Sequence, residues 1–240
     1  MYLHTKLWVS LAFGTGILLS QAEASDAQQN AITAIDIALE PDDTMLQHAQ
    51  TDNASLREDF PKGFSLDATH NPHVTLLQQY VRTKDLDKVY EATDRVLAGE
   101  HITSWKLKAF KYYYIPNAPV GLAGIVAEPT EDLLRLQKKL IEAIRPFAVT
   151  TGTAAAFFTT PDEPDINQPT IDYVAGFVPK ATGAHFNPHV TIGVGTIPYL
   201  DKMLAEPFEP FTFSPAAASV YQLGNFGTAR KPLKTFQLKP

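Results

Sequence analysis

The chain has 240 residues, 20 Lys plus Arg against 26 Asp plus Glu (20 − 26 = −6), and 45% apolar residues. That is one large domain or two small ones with enough apolar material for a core, which excludes a mainly disordered chain. Cysteine is absent, which excludes disulfide frameworks, thiolate zinc sites and cysteine nucleophiles, and no dense Lys/Arg block offers a surface to long nucleic acid.

Lys6, an apolar stretch from Leu7 to Leu19 and the small-x-small triplet Ala22-Glu23-Ala24 predict a cleaved secretory signal over residues 1–24. The stretch is shorter than the ~20 residues that span a bilayer. The expected mature chain, 25–240, is a single exported domain with no membrane segment, charge 19 − 25 = −6, and a monomeric state.

Ala31 to Leu39 is a β-compatible run, ended by Pro41-Asp42-Asp43-Thr44. Met45 to Phe60 follows as a weakly amphipathic helix, and His73 to Val81 as a strand. Asp85 to Ala98 reads as a helix with Asp85 as N-cap and Gly99 beyond its end. Trp105 to Ile115 and Val120 to Ala127 form a hairpin. In Glu131 to Arg145, Leu133, Leu136, Leu140 and Ile144 line one face of the clearest helix. Residues 147–184, rich in Thr, Pro, Gly and Asp, read as a loop-like insertion. His189 to Val194 is a strand and Tyr199 to Ala205 a short helix. Phe208 to Leu223 and Thr228 to Leu238 are closing strands around Gly224-Asn225-Phe226-Gly227. The order strand, helix, strand, helix, strand occurs twice. It predicts an α+β class with two duplicated lobes, antiparallel sheets flanked by helices that face one another.

Asn71-Pro72-His73-Val74-Thr75-Leu76 recurs as Asn187-Pro188-His189-Val190-Thr191-Ile192. A bare His-x-Thr is weak, and His101-Ile102-Thr103 is a third instance, read as a loop-edge histidine after Gly99. The five-residue identity is stronger: its chance recurrence is about one in a hundred. On a strand, His73 and Thr75 point one way while Val74 and Leu76 point the other, and likewise for His189 and Thr191. Two facing lobes would gather two imidazoles and two hydroxyls in one groove, with Gly193 and Gly195 leaving room for a ligand. Such a set suits displacement at phosphorus. One imidazole deprotonates the attacking oxygen, the other protonates the leaving oxygen, and the threonines bind the phosphate. No metal or other cofactor is called for.

These two H-x-T-x motifs resemble those of the two-histidine (2H) phosphoesterase superfamily, which includes the bacterial RNA ligase-like cyclic phosphodiesterases. The resemblance runs from Ala31 to Leu238 in element order and is specific at the motifs. It implies a bilobal α+β fold and metal-independent hydrolysis of small cyclic phosphodiesters such as 2′,3′-cyclic nucleotides or oligonucleotide ends. His73 and His189 would be the acid–base pair, with His189 favoured as the base, and Thr75 and Thr191 the phosphate binders. The 147–184 insertion would account for the long spacing between motifs.

Two other readings stand beside this one. His70, His73, His185 and His189 could hold zinc, although Pro72 and Pro188 break helical presentation of each pair. An exported module could bind a nucleotide or phosphate without turnover. Tyr112-Tyr113-Tyr114, Phe157-Phe158 and Phe226 could stack a base; Phe226, in its Gly-flanked turn, and Tyr112 are taken as the substrate-binding candidates. Lys106, Lys108, Lys111, Arg230, Lys231 and Lys234 read as solvated surface.

Overall fold

The computed structural model describes residues 31–238, so the expected signal segment lies outside the described residues. Nine strands form one antiparallel sheet: β1 (Ile32–Pro41), β2 (Val74–Arg82), β3 (Leu107–Asn117), β4 (Val120–Ala127), β5 (Ala148–Val149), β6 (His189–Thr196), β7 (Phe211–Phe213), β8 (Pro215–Leu223) and β9 (Ala229–Gln237). Their spatial order is β7-β3-β4-β6-β2-β1-β8-β9, with β5 beside β2. Among the described residues, five α-helices flank the sheet: α1 (Asp43–Asp59), α2 (Leu86–Leu97), α3 (Glu131–Ile144), α4 (Gln168–Ala181) and α5 (Ile197–Ala205).

The two expected lobes are the halves of this sheet. One holds β9, β8, β1 and β2, the other β6, β4, β3 and β7. They meet at a single pair, Val74 opposite Val190. Away from that pair the halves are free to diverge, and a groove opens beside it. Antiparallel pairing there sets His73 beside Thr191 and Thr75 beside His189, so the motif strands are related by a rough two-fold axis.

Local chemistry explains most elements. Asp42 caps α1 by accepting from Thr44 N (3.2 Å) and Met45 N (3.4 Å), and Thr130 caps α3 by accepting from Leu133 N (3.2 Å). The α3 stripe of Leu133, Leu136, Leu140 and Ile144 is buried, as its period requires.

Two local expectations fail. Asp85 does not cap α2; its carboxylate pairs with Arg82 (2.6 Å) and Lys88 (2.8 Å). Residues 147–184 are not loop throughout, because they contain α4. Asn167 caps α4 by accepting from Thr170 N (2.8 Å), Pro169 sits in the first turn, and Thr170, Val174 and Phe177 are buried. Pro179 and the preceding turn residues obscure that period in the sequence. Among the described residues, no helix is long and apolar enough to cross a membrane.

Candidate active site

The repeated Asn-Pro-His has a local purpose. Proline restricts its predecessor to extended backbone. In both copies the Asn carbonyl lies against the histidine two residues on: His73 Nδ1 is 2.7 Å from Asn71 O, and His189 Nδ1 is 2.7 Å from Asn187 O. A carbonyl only accepts, so each Nδ1 carries a hydrogen. Each Nε2 is thereby the nitrogen that exchanges a proton, and both rings line the same groove, of about 860 Å³, with Thr75 and Thr191.

The fourth motif residue has a purpose of its own. In the pairing of β1 with β2, Ile37 faces Leu77 and Ala38 faces Thr75, so Leu76 is skipped. In the pairing of β4 with β6, Ala123 faces Gly193 and Gly124 faces Thr191, so Ile192 is skipped. Both motif strands therefore bulge one residue after the threonine, and the alternation changes phase there. On β2 this brings Gln78 onto the groove face with Thr75; on β6 it brings Val194 there with Thr191. Gly193 and Gly195 are turned away. A Cβ on Gly193 would meet Asn53 Nδ2 at 2.7 Å, and one on Gly195 would meet Leu56 Cδ2 at 2.8 Å. These glycines make room for α1, not for a ligand.

Each bulge is held by a buried amide from a helix. Asn53 of α1 donates to Ile192 O (2.8 Å) and Phe64 O (3.1 Å), and accepts from Leu66 N (3.2 Å). Gln137 of α3 donates to Leu76 O (3.0 Å) and accepts from Gly183 N (3.0 Å). The braces cross: Asn53 ties the bulge of the His189 strand to the loop before His73, and Gln137 does the converse. Both sit on the buried faces of their helices, and a lone amide in an apolar stripe was the available signal.

The electrostatics are not symmetric. Asp36, in the middle of β1, is fully buried. Its Oδ2 accepts from Thr75 Oγ1 (2.7 Å) and Gln78 Nε2 (3.1 Å) and lies 3.4 Å from His73 Nε2, while its Oδ1 has no hydrogen-bond partner. A lone carboxylate inside the apolar run Ile32–Leu39 is the sequence feature that marks it. The Thr75 hydroxyl proton is therefore directed to Asp36. The Thr191 hydroxyl has no hydrogen-bond partner among the described residues. Burial pushes the His73 pKa down, but the Asp36 carboxylate 3.4 Å away overrides it, helped by the Asn71 carbonyl, and raises the value above that of an ordinary histidine. Burial pushes His189 down to about 4, reinforced by the charge of His73 and opposed by the Asn187 carbonyl and, last, by the more distant charge of Asp36. One ring thus favours the proton and its near-twin does not.

The three consecutive tyrosines divide by alternation. Tyr113 lines the groove and meets His189 edge-on at 4.6 Å between centroids. Tyr112 points to the other side and packs on Phe208 at 4.8 Å, so it does not line the groove where a base would stack. Tyr114 donates to Asp201 at 2.6 Å. Phe226 lines the groove at 50% exposure, in a turn where its φ is 58°. Tyr173 and Phe177 of α4 form the facing wall, so the segment expected to be a loop builds part of the site.

His185 lines the groove, whereas His70 lies against the cationic Arg230 Nη1 (2.7 Å from Nε2). Among the described residues, no group of three or more His, Cys, Asp or Glu side chains is placed to hold a metal ion. Arg230, expected on the surface, is buried and pairs with Glu163 at 3.2 Å. His101 stands exposed just before a short 3₁₀ segment and does not line the groove.

No family model matches the chain, and no curated protein matches it. Among solved structures it is similar to TT0787 of Thermus thermophilus (17% identity, TM-score 0.49, covering 86% of this chain and 98% of that one). It is also similar to E. coli LigT complexed with 3′-AMP (13% identity, TM-score 0.49, 87% and 99%) and to Kluyveromyces marxianus Usb1 (12% identity, TM-score 0.39, 89% and 100%). Each of these scores lies below 0.5, so what the groove does follows from its own residues.

Proposed function

We propose that the chain is a two-histidine phosphoesterase that opens a small cyclic phosphodiester, a 2′,3′-cyclic nucleotide or oligonucleotide end, by acid–base catalysis between His189 and His73. The supporting observation is the pair of imidazoles in one groove, each with Nδ1–H tied to a carbonyl, each exchanging protons through Nε2, with opposite proton preferences. Neutral His189 takes a proton from water as the water oxygen bonds to phosphorus. The bond from phosphorus to one ring oxygen breaks, and that oxygen takes the proton from His73 Nε2, leaving a phosphomonoester and a free hydroxyl. The Thr191 hydroxyl donates to a non-bridging oxygen as charge builds there. Proton exchange with solvent resets both rings.

The net charge of −6 and a groove wall in which Lys180 is the only lysine or arginine among the described residues favour a ligand with one phosphate over a long polyanion. The pattern of residues 1–24 supports export, which N-terminal sequencing of protein recovered outside the cytoplasm tests.

The functional test is turnover of cyclic phosphodiesters by the purified protein with chelator present. His73→Ala and His189→Ala should each lower kcat/KM by about 10²–10⁴, and His101→Ala should leave it unchanged. Binding without turnover would mean a ligand-binding module. Activity removed by chelator and restored by zinc would refute the acid–base pair.

A further inference from the structure

The rough two-fold axis permits a position-by-position comparison of the two halves. Aligned on the bulges, Thr75 corresponds to Thr191 and Gln78 to Val194. Their partners on the neighbouring strands, Asp36 opposite Gln78 and Leu122 opposite Val194, correspond in turn. The motifs are identical from Asn to Thr and differ only as Leu76 against Ile192, yet here a carboxylate and an amide on one side face a leucine and a valine on the other. Resting on the acid–base reading above, we infer that Asp36 is the positioning residue that makes the two motifs inequivalent: it fixes His73 as the proton donor and, by holding the Thr75 hydroxyl, leaves the phosphate to Thr191.

The geometry carries this assignment. Asp36 Oδ2 is shared among Thr75 Oγ1, Gln78 Nε2 and His73 Nε2 at 2.7, 3.1 and 3.4 Å, and the carboxylate is shut away from solvent. A buried carboxylate beside an imidazole favours the imidazolium. It also orients the ring, because Nδ1 is held by Asn71 O at the other end. Among the described residues no carboxylate touches His189, which feels the Asp36 charge only at a distance; Leu122 occupies the matching position and the Tyr113 ring packs against the imidazole.

The other groups around His73 do not replace Asp36. Glu40, also on β1, adds a weaker pull in the same direction, but its carboxylate is taken by Tyr221 (2.6 Å) and Ser219. Tyr221 of β8 presents a ring at 6.3 Å, and His189 of β6 opposes a second positive charge. Tyr173 of α4 is close enough for the Asp36 charge to help raise its pKa, so it stays a neutral phenol.

The test reads the histidines directly. Proton NMR titration of the full chain should show His73 titrating above His189, and reversal of that order overturns the inference without any variant. Asp36→Asn keeps the shape and removes the charge; His73 should then titrate about 1–3 pH units lower. The alkaline limb of the kcat/KM profile should move down with it. An unmoved His73 in folded Asp36→Asn overturns the assignment. Thr75→Val should lower kcat/KM less than Thr191→Val, and an equal or larger loss overturns the division of labour between the threonines. If His73 shifts as expected but no cyclic phosphodiester is turned over, the proposed function fails and the role of Asp36 stands.

Discussion

The crossed amide braces can be tested through stability. In Asn53→Leu the helix keeps a side chain of similar size, but Ile192 O, Phe64 O and Leu66 N lose their partner. A buried polar group left unpaired costs about 1–3 kcal/mol. Ile192 O is enclosed, whereas the bonds to Phe64 and Leu66 are only partly buried, so water recovers some of their loss. The expected cost is about 2–4 kcal/mol. Gln137→Met orphans Leu76 O, which is enclosed, and Gly183 N, which lies at the surface, and should cost about 1–2 kcal/mol. Urea unfolding followed by far-UV circular dichroism measures both. Each variant should also lower kcat/KM, because each bulge sets the direction of its threonine. If both lie within about 0.5 kcal/mol of the parent, as for an ordinary surface substitution, the bracing role is refuted. It is refuted equally if Gln137→Met proves the more damaging.

Other expectations concern His189 and the β6 bulge. The folded pKa of His189, about 4, lies below its unfolded value of about 6.5, so the unfolded chain binds more protons between them. Its contribution to stability is complete above about pH 6.5 and is lost as pH falls toward 4, by at most about 3 kcal/mol. His73 acts oppositely, stabilising below about pH 6.5 and losing that effect as pH rises through its elevated folded value. Unfolding free energies at pH 7 and pH 4 should therefore differ less in His189→Asn than in the parent, and equal differences would contradict the assigned burial. Gly193 has φ 145° and no space beside Asn53, so Gly193→Ala should cost at least ~1 kcal/mol in a urea melt. Gly99→Ala, whose added Cβ meets only Val96 O at 3.6 Å, serves as the tolerated control.

Local rules written into the chain determine much of this protein. Apolar runs and a period of 3.6 mark β1, β2 and α3: β1 is buried on both faces from Thr33 to Leu39, β2 is mostly buried, and α3 buries one stripe of Leu133, Leu136, Leu140 and Ile144. The Asn-Pro-His repeat positions each ring through backbone geometry within three residues, so the histidines were legible before any fold was known. What tertiary structure alone decided lies beyond such short-range rules. The bulges at Leu76 and Ile192 appear only when β1 and β4 pair alongside, and they reverse the facing of Gly193 and Gly195 that simple alternation predicts. Strand alternation requires that Tyr112 and Tyr113 face opposite ways; which of them meets His189 depends on where β4 and β6 lie. Asp36 stands far from His73 in sequence and reaches it because β1 pairs with β2, so the group that distinguishes two near-identical motifs is supplied by a neighbouring strand. Long-range pairing brings that carboxylate to one imidazole and a leucine to the other, and charge at 3.4 Å, unscreened by water, then sets which ring holds the proton.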